Sequence, residues 1–158
     1  EMSHVVVWGN HSATQVPDFV HAKIQGKDAL TVLAAHRDWL EKDYVPKVQK
    51  RGAEVINTRG KSSAASAANG AVDAMKSLVF PSKEGTVFSM SVFSDGNPYG
   101  VHSGLVFSFP CICKGHGKVE IVPGFTWDSF LKEKIALTEK ELMEERSMIE
   151  HLLGGKHE

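Results

Sequence analysis

Cysteine, net charge and long apolar runs are all scarce in this sequence. Cys111 and Cys113 are the only two cysteines in 158 residues. They stand two apart in a stretch that reads as a strand, on one face, a spacing poor for an intramolecular disulfide. Two reduced thiols are expected, which suits a reducing compartment and a cytoplasmic protein. Lys and Arg number 18 against 19 Asp and Glu, giving a formal net charge of −1. That balance offers no nucleic-acid footprint and no membrane-attracted surface, so neither partner is expected. No apolar run approaches the roughly 20 residues a spanning helix needs. Glu1-Met2-Ser3-His4 lacks a basic region followed by an apolar one, so no secretory signal is read. Asn10-His11-Ser12 matches a glycosylation acceptor, which without such a signal is taken as chance.

Several chemical signatures are also missing. Gly115-x-Gly117 lies between two apolar runs, in hairpin context, and so is no dinucleotide-binding turn between strand and helix. There is no HExxH, no paired CxxC and no phosphate-binding loop. The eight histidines do not cluster at metal-ligand spacing, so no metal is expected.

What is present is a domain of ordinary globular composition, 42% hydrophobic and 23% charged, long enough for one sizeable core. Val5-Val6-Val7-Trp8 reads as a short buried strand that stops at the turn Gly9-Asn10. His11 follows at once, with Ser12 and Thr14 close behind. A histidine just past a buried strand is held by rigid backbone yet can face a cleft. Imidazole titrates near neutrality, so His11 is a candidate general acid/base. These residues alone do not name its reaction.

Downstream, Val16-Pro17-Asp18 reads as a turn, residues 19–24 as a short strand, and Gly26-Lys27-Asp28 as another turn. Residues 28–59 are helical in pattern, in one piece or two, with Pro46 inside the run and Gly60 as its C-terminal cap. Ser62 or Ser63 is the expected N-cap of a small-residue helix running to about Val79. Such a helix either packs very close to a neighbour or leaves its N-terminus open to a ligand. Residues 86–93, 105–113 and 119–122 alternate as three strands of an antiparallel meander. Pro110 implies that the middle run is an edge or carries a bulge. Residues 128–153 form the last helix, with Phe130, Ile135, Leu142, Ile149 and Leu152 as its apolar stripe. Glu139, Glu141, Glu144 and Glu145 read as its solvated face. Thr138 to Glu141 matches a capping box, where the helix could bend or restart. Gly154-Gly155 releases a polar tail. The expected fold is α+β: a small twisted antiparallel sheet covered by long helices.

Four stretches resemble one family. Val7-Trp8-Gly9-Asn10-His11-Ser12-Ala13-Thr14-Gln15 is similar to the active-site histidine segment of NAD-dependent malate dehydrogenases of the cytosolic type. Arg51-Gly52-Ala53-Glu54-Val55-Ile56 and Ser62-Ser63-Ala64-Ala65-Ser66-Ala67-Ala68 resemble the segment that follows there. Ser94-Asp95-Gly96-Asn97-Pro98-Tyr99-Gly100 and Phe107-Ser108-Phe109-Pro110 resemble its hairpin region. Leu137-Thr138-x-Lys140-Glu141-Leu142 with Glu144-Glu145 resembles its closing helix.

The resemblance implies that residues 1–158 are the C-terminal substrate domain of a lactate/malate dehydrogenase, cut from a longer chain. The NAD-binding half, the substrate arginines and the aspartate that orients the histidine would precede it. His11 would then be the catalytic acid/base, taking the proton from the malate hydroxyl as hydride passes to the nicotinamide and returning it in the reverse direction. Ser66 would lie beside substrate and nicotinamide, and Ser63, a turn earlier, would line the same pocket. Ala65 stands where relatives often carry methionine. Gly9 and Asn10 would shape the turn. The resemblance also implies NAD as cofactor and a homodimer as assembly. Another 2-hydroxy acid such as lactate, or a non-catalytic interaction domain reusing the fold, are the competing readings.

Overall fold

The computed structural model describes residues 1–153, so the Gly154-Gly155 tail lies outside the described residues. All strand pairing among these residues is antiparallel, as expected, but it is divided among three small sheets. Strands β1 (Met2–Ser3), β4 (Lys23–Ile24) and β5 (Lys27–Asp28) form the first. Strands β2 (Val6–Trp8) and β3 (Val16–Asp18) form the second. The expected meander is the third, of β6 (Phe88–Phe93), β7 (Val106–Cys113) and β8 (Val119–Ile121).

Val16-Pro17-Asp18 is thus a strand and not a turn. Pro17 is tolerated because its partner Val7 takes its bonds elsewhere. The Val7 N–H donates to Ser89 Oγ at 2.8 Å, and its carbonyl accepts from Ser108 Oγ at 2.6 Å. A bridge between Gly9 and Ser108 adds two backbone bonds of 3.2 and 3.0 Å. These contacts stitch the second sheet to the third. The chain turns at Gln25-Gly26, both at positive φ, in a two-residue hairpin loop one position earlier than expected. The expected strand over 19–24 shrinks to its last two residues. Asp18 curls the preceding segment by accepting the Val20 and His21 N–H groups at 2.8 and 3.0 Å.

Pro110 sits within the middle strand, paired with Ser89 without a bulge. β8 pairs only with Cys111–Cys113, so the sheet is two strands wide at Pro110 and the missing N–H leaves no gap in a third ladder. Both cysteines are free and buried, and burial pushes the Cys111 thiol up to about 11.

The helical run breaks into pieces: α1 (Ala29–Val32), a 3₁₀ turn (Ala34–His36), α2 (Arg37–Trp39), a π turn (Leu40–Tyr44) and α3 (Val45–Arg59). Pro46 falls in the first turn of α3, where its absent N–H is harmless. Gly60 caps α3 at φ 72°. Helix α4 (Ala65–Val79) begins later than expected: its N-cap is Ala64 at φ 50°, not Ser62 or Ser63, and no side chain caps it. It buries none of its residues fully; only its last turn meets the β7–β8 hairpin, where the Leu78 carbonyl accepts the Gly117 N–H at 2.8 Å.

Helix α5 (Ser129–Ile149) runs unbroken through Thr138, ending in a 3₁₀ turn at Glu150–Leu152. Its Asp128 N-cap accepts the Leu131 N–H at 2.9 Å. The buried face is Leu131, Ile135 and Thr138, whereas Ile149 and Leu152, expected on the apolar stripe, are exposed. The core gathers Val6, Trp8, Val16, Phe107, Phe109, Leu131 and Ile135. Trp8 packs edge-on against Tyr99, Trp127, Phe125 and Phe109, with ring centroids 4.9 to 6.4 Å away. Its indole N–H donates to buried Asp18 at 2.9 Å.

Candidate active site

Strand β2 ends against α5, and that junction sets the position of His11. Gly9 takes φ 92°, a region other residues reach at a cost. It is pressed so close to Thr138 that a Cβ would overlap the threonine side chain. The next N–H, that of Asn10, donates to Thr138 Oγ1 at 2.9 Å. The Asn10 amide reaches Glu141 Oε2 at 3.0 Å and Glu145 Oε1 at 2.9 Å. Ser12 Oγ donates to Glu141 Oε2 at 2.5 Å. Thr14 Oγ1 lies 2.6 Å from the same oxygen and 2.8 Å from Thr138 Oγ1. Thr14 has one hydroxyl proton, and the charged carboxylate is the stronger acceptor for it. Burial alone would push the Glu141 carboxyl up, but the donors Ser12, Thr14 and Asn10 outweigh it and hold it below the usual range.

His11 itself is exposed. No hydrogen bond or ion pair of its ring occurs among the described residues. An exposed imidazole on a turn fixed at both sides is free to meet a ligand. At the start of α4, Ser63 Oγ, just before the helix, and Ser66 Oγ, in its first turn, are 2.5 Å apart, with Ser66 exposed and Ser63 partly so. The structure brings the two serines together, but no described bond joins either to His11. A concavity of about 1190 Å³ lies between the end of α5 and the β6–β7 hairpin. It shares Glu145 with the His11 turn and includes none of the three candidate residues.

Thr138 and Glu141 escaped the sequence reading, which took them for a capping box and a solvated face. One signal was available. At helical spacing Leu131, Ile135, Thr138 and Leu142 share a stripe, and a threonine there must find a polar partner. Glu139 also serves, accepting the His102 N–H at 2.6 Å, while Glu144 lies 3.6 Å from Lys140 on the open side.

The family described as lactate/malate dehydrogenase, alpha/beta C-terminal domain, matches residues 1–152. The chain belongs to the lactate/malate dehydrogenase family. It is 56% identical to a malate dehydrogenase of Protochlamydia amoebophila, over 97% of this chain and 46% of that protein. It is 47% identical to a chloroplastic NADP malate dehydrogenase of Mesembryanthemum crystallinum, over 98% of this chain and 35% of that protein. A lactate dehydrogenase of Trichomonas vaginalis, solved with NADH and oxamate, is 35% identical with a TM-score of 0.87. The match covers 96% of this chain and 47% of that one. The chain therefore spans less than half the length of these dehydrogenases. No helix among the described residues is long and apolar enough to cross a membrane.

Gly115 and Gly117 lie at the tip of the β7–β8 hairpin, beside exposed His116.

Proposed function

We propose that this chain is the C-terminal substrate domain of a malate dehydrogenase whose NAD-binding half lies elsewhere in the full protein. The observation that carries the reading is His11: an exposed imidazole at the end of β2, on a turn fixed by Thr138 and Glu141. In the oxidation of malate, His11 accepts the hydroxyl proton at a ring nitrogen. In the reduction of oxaloacetate it returns that proton to the new alkoxide oxygen. NAD, when bound, accepts or gives the hydride. Ser66 and Ser63 line the pocket on the far side, Ser66 toward both substrate and nicotinamide. Arginines that hold the dicarboxylate, and the carboxylate that orients His11, belong to the other half. The assembly is a homodimer in the cytoplasm.

Support comes from the 56% identity to a malate dehydrogenase. The likeness to a lactate dehydrogenase at 35% identity favours a second reading, a 2-hydroxy acid with a different side chain such as lactate. The chloroplastic relative bears NADP in its name, so the phosphate on the cofactor is part of the test.

The decisive assay is steady-state reduction of oxaloacetate and of pyruvate by the full-length enzyme, with NADH and NADPH in parallel. Preference for oxaloacetate with NADH is expected. His11→Asn keeps the shape of the turn but cannot shuttle a proton, and should lose about 10²-fold or more of turnover. Wild-type turnover in His11→Asn would overturn the role of His11. Preference for pyruvate would favour the second reading.

A further inference from the structure

We propose that Glu141 is a positioning residue for His11. The inference rests on the proton-transfer role of His11 proposed above. Three donors converge on one Glu141 oxygen, from Asn10, Ser12 and Thr14 at 3.0, 2.5 and 2.6 Å. They are side chains from both sides of His11, so a single carboxylate ties together the residues before and after it. The ring has no bond of its own among the described residues, so within this chain its place is set by the turn that carries it.

The clamp stands on rigid ground. Glu141 lies three residues beyond Thr138, which is buried and bonded to the Asn10 N–H. One and two turns further back, Ile135 and Leu131 fasten the same helix into the core. Strand β2 is fixed independently by Trp8 on Asp18. The His11 turn is therefore held between a core strand and a core helix, and the carboxylate closes the gap. A charge suits this place because charge-assisted bonds are roughly twice as strong as neutral ones. The Glu141 carboxyl is held in its ionised form by the same donors.

The consequence concerns rate more than binding. A small displacement of a general acid/base can cost about 10²-fold in turnover while the ligands still bind. The test uses the full-length enzyme with Glu141→Ala, Glu141→Gln and, as a control on the same helix, Glu144→Gln. Glu141→Ala should lower kcat by about 10²-fold with the NADH dissociation constant unchanged. Glu141→Gln should recover part of the loss, because its amide oxygen can accept from Ser12 and Thr14 at the same reach. Glu144→Gln, exposed and facing Lys140, should match wild type.

The proposal is overturned if both Glu141 variants turn over within about twofold of wild type. It is equally overturned if the loss in Glu141→Gln disappears once rates are expressed per folded NADH site. Should Glu141→Ala fail to fold, the Gln variant alone decides by the same two criteria. An inactive His11→Asn beside fully active Glu141→Ala and Glu141→Gln removes the positioning role and leaves the acid/base role standing. A fully active His11→Asn removes both.

Discussion

Gly9 lies flush against Thr138, backbone to side chain, with no room for a methyl group between them. The contact joins the end of β2 to the middle of α5, residues 129 positions apart in the chain. Gly9→Ala should therefore be among the most damaging small substitutions in the domain. It combines a positive φ, costing about 1–3 kcal/mol, with an overpacked contact of similar size. Urea unfolding of the full-length protein should show a loss of at least about 2 kcal/mol. Pairing it with Thr138→Ser, which removes a methyl and keeps the hydroxyl, should restore part of that loss. Strict additivity of the two changes would deny the contact its importance.

Ser66→Ala tests the far wall of the proposed pocket. Ser66 is exposed, and its hydroxyl meets Ser63 at 2.5 Å, so its removal disturbs little of the fold. A neutral hydrogen bond is worth about 0.5–1.5 kcal/mol, so kcat/KM for oxaloacetate should fall by roughly two- to twelvefold. That is far less than the loss from His11→Asn. The isolated chain should show no turnover, because the proposed NAD-binding half and its substrate arginines lie outside it. Measurable activity of the isolated chain would refute the division of labour proposed here.

The way these two sites read from sequence differs for a physical reason. Local patterns carried the meander, the Gly60 cap and the placement of His11 after a buried strand. Each depends on residues within a few positions of one another. What pattern could not supply was pairing at a distance. Val16-Pro17-Asp18 looks like a turn until Ser89 and Ser108 are seen to satisfy Val7. Thr138 and Glu141 look like a capping box until Asn10, Ser12 and Thr14 arrive from the other end of the chain. Ala64 as the N-cap of α4 is a further case. Its φ of 50° runs against residue preference, and no pattern of serines predicts it.

Helix α4 carries an apolar stripe with nothing on it. Val72, Met75, Val79 and Phe80 are 53, 60, 52 and 64% exposed. Such a patch favours association, and the proposed homodimer would use it. The isolated chain should sediment as a concentration-dependent mixture or precipitate. Met75→Lys with Val79→Lys should make it more soluble and shift the full-length enzyme toward monomer. Sedimentation velocity at micromolar concentration checks both, and an unchanged full-length dimer would place the interface elsewhere.

Asp18 and His21 should give the domain a pH-dependent stability. His21 Nδ1 lies 2.7 Å from Asp18 Oδ2, the same oxygen that accepts the Trp8 indole. Burial alone would lower the pKa of His21. The hydrogen bond and charge of Asp18 outweigh it, helped by the Thr126 backbone and Asp128, and raise it above 6.5. A raised folded value means that protonation favours the folded state. That contribution is complete below the ordinary histidine value and fades as pH rises from about 6.5 through the folded value. The carboxylates of Glu141, Asp128 and Asp95 work in the opposite direction, each held low and each losing its contribution as pH falls through the acid range. The two trends occupy different windows, so His21→Gln isolates the first. Its amide can still donate to Asp18 but does not titrate. Urea midpoints of wild type and His21→Gln should converge at high pH and separate below neutrality, with wild type the more stable. Parallel curves from acid to alkaline pH would show that His21 carries no proton-linked stability.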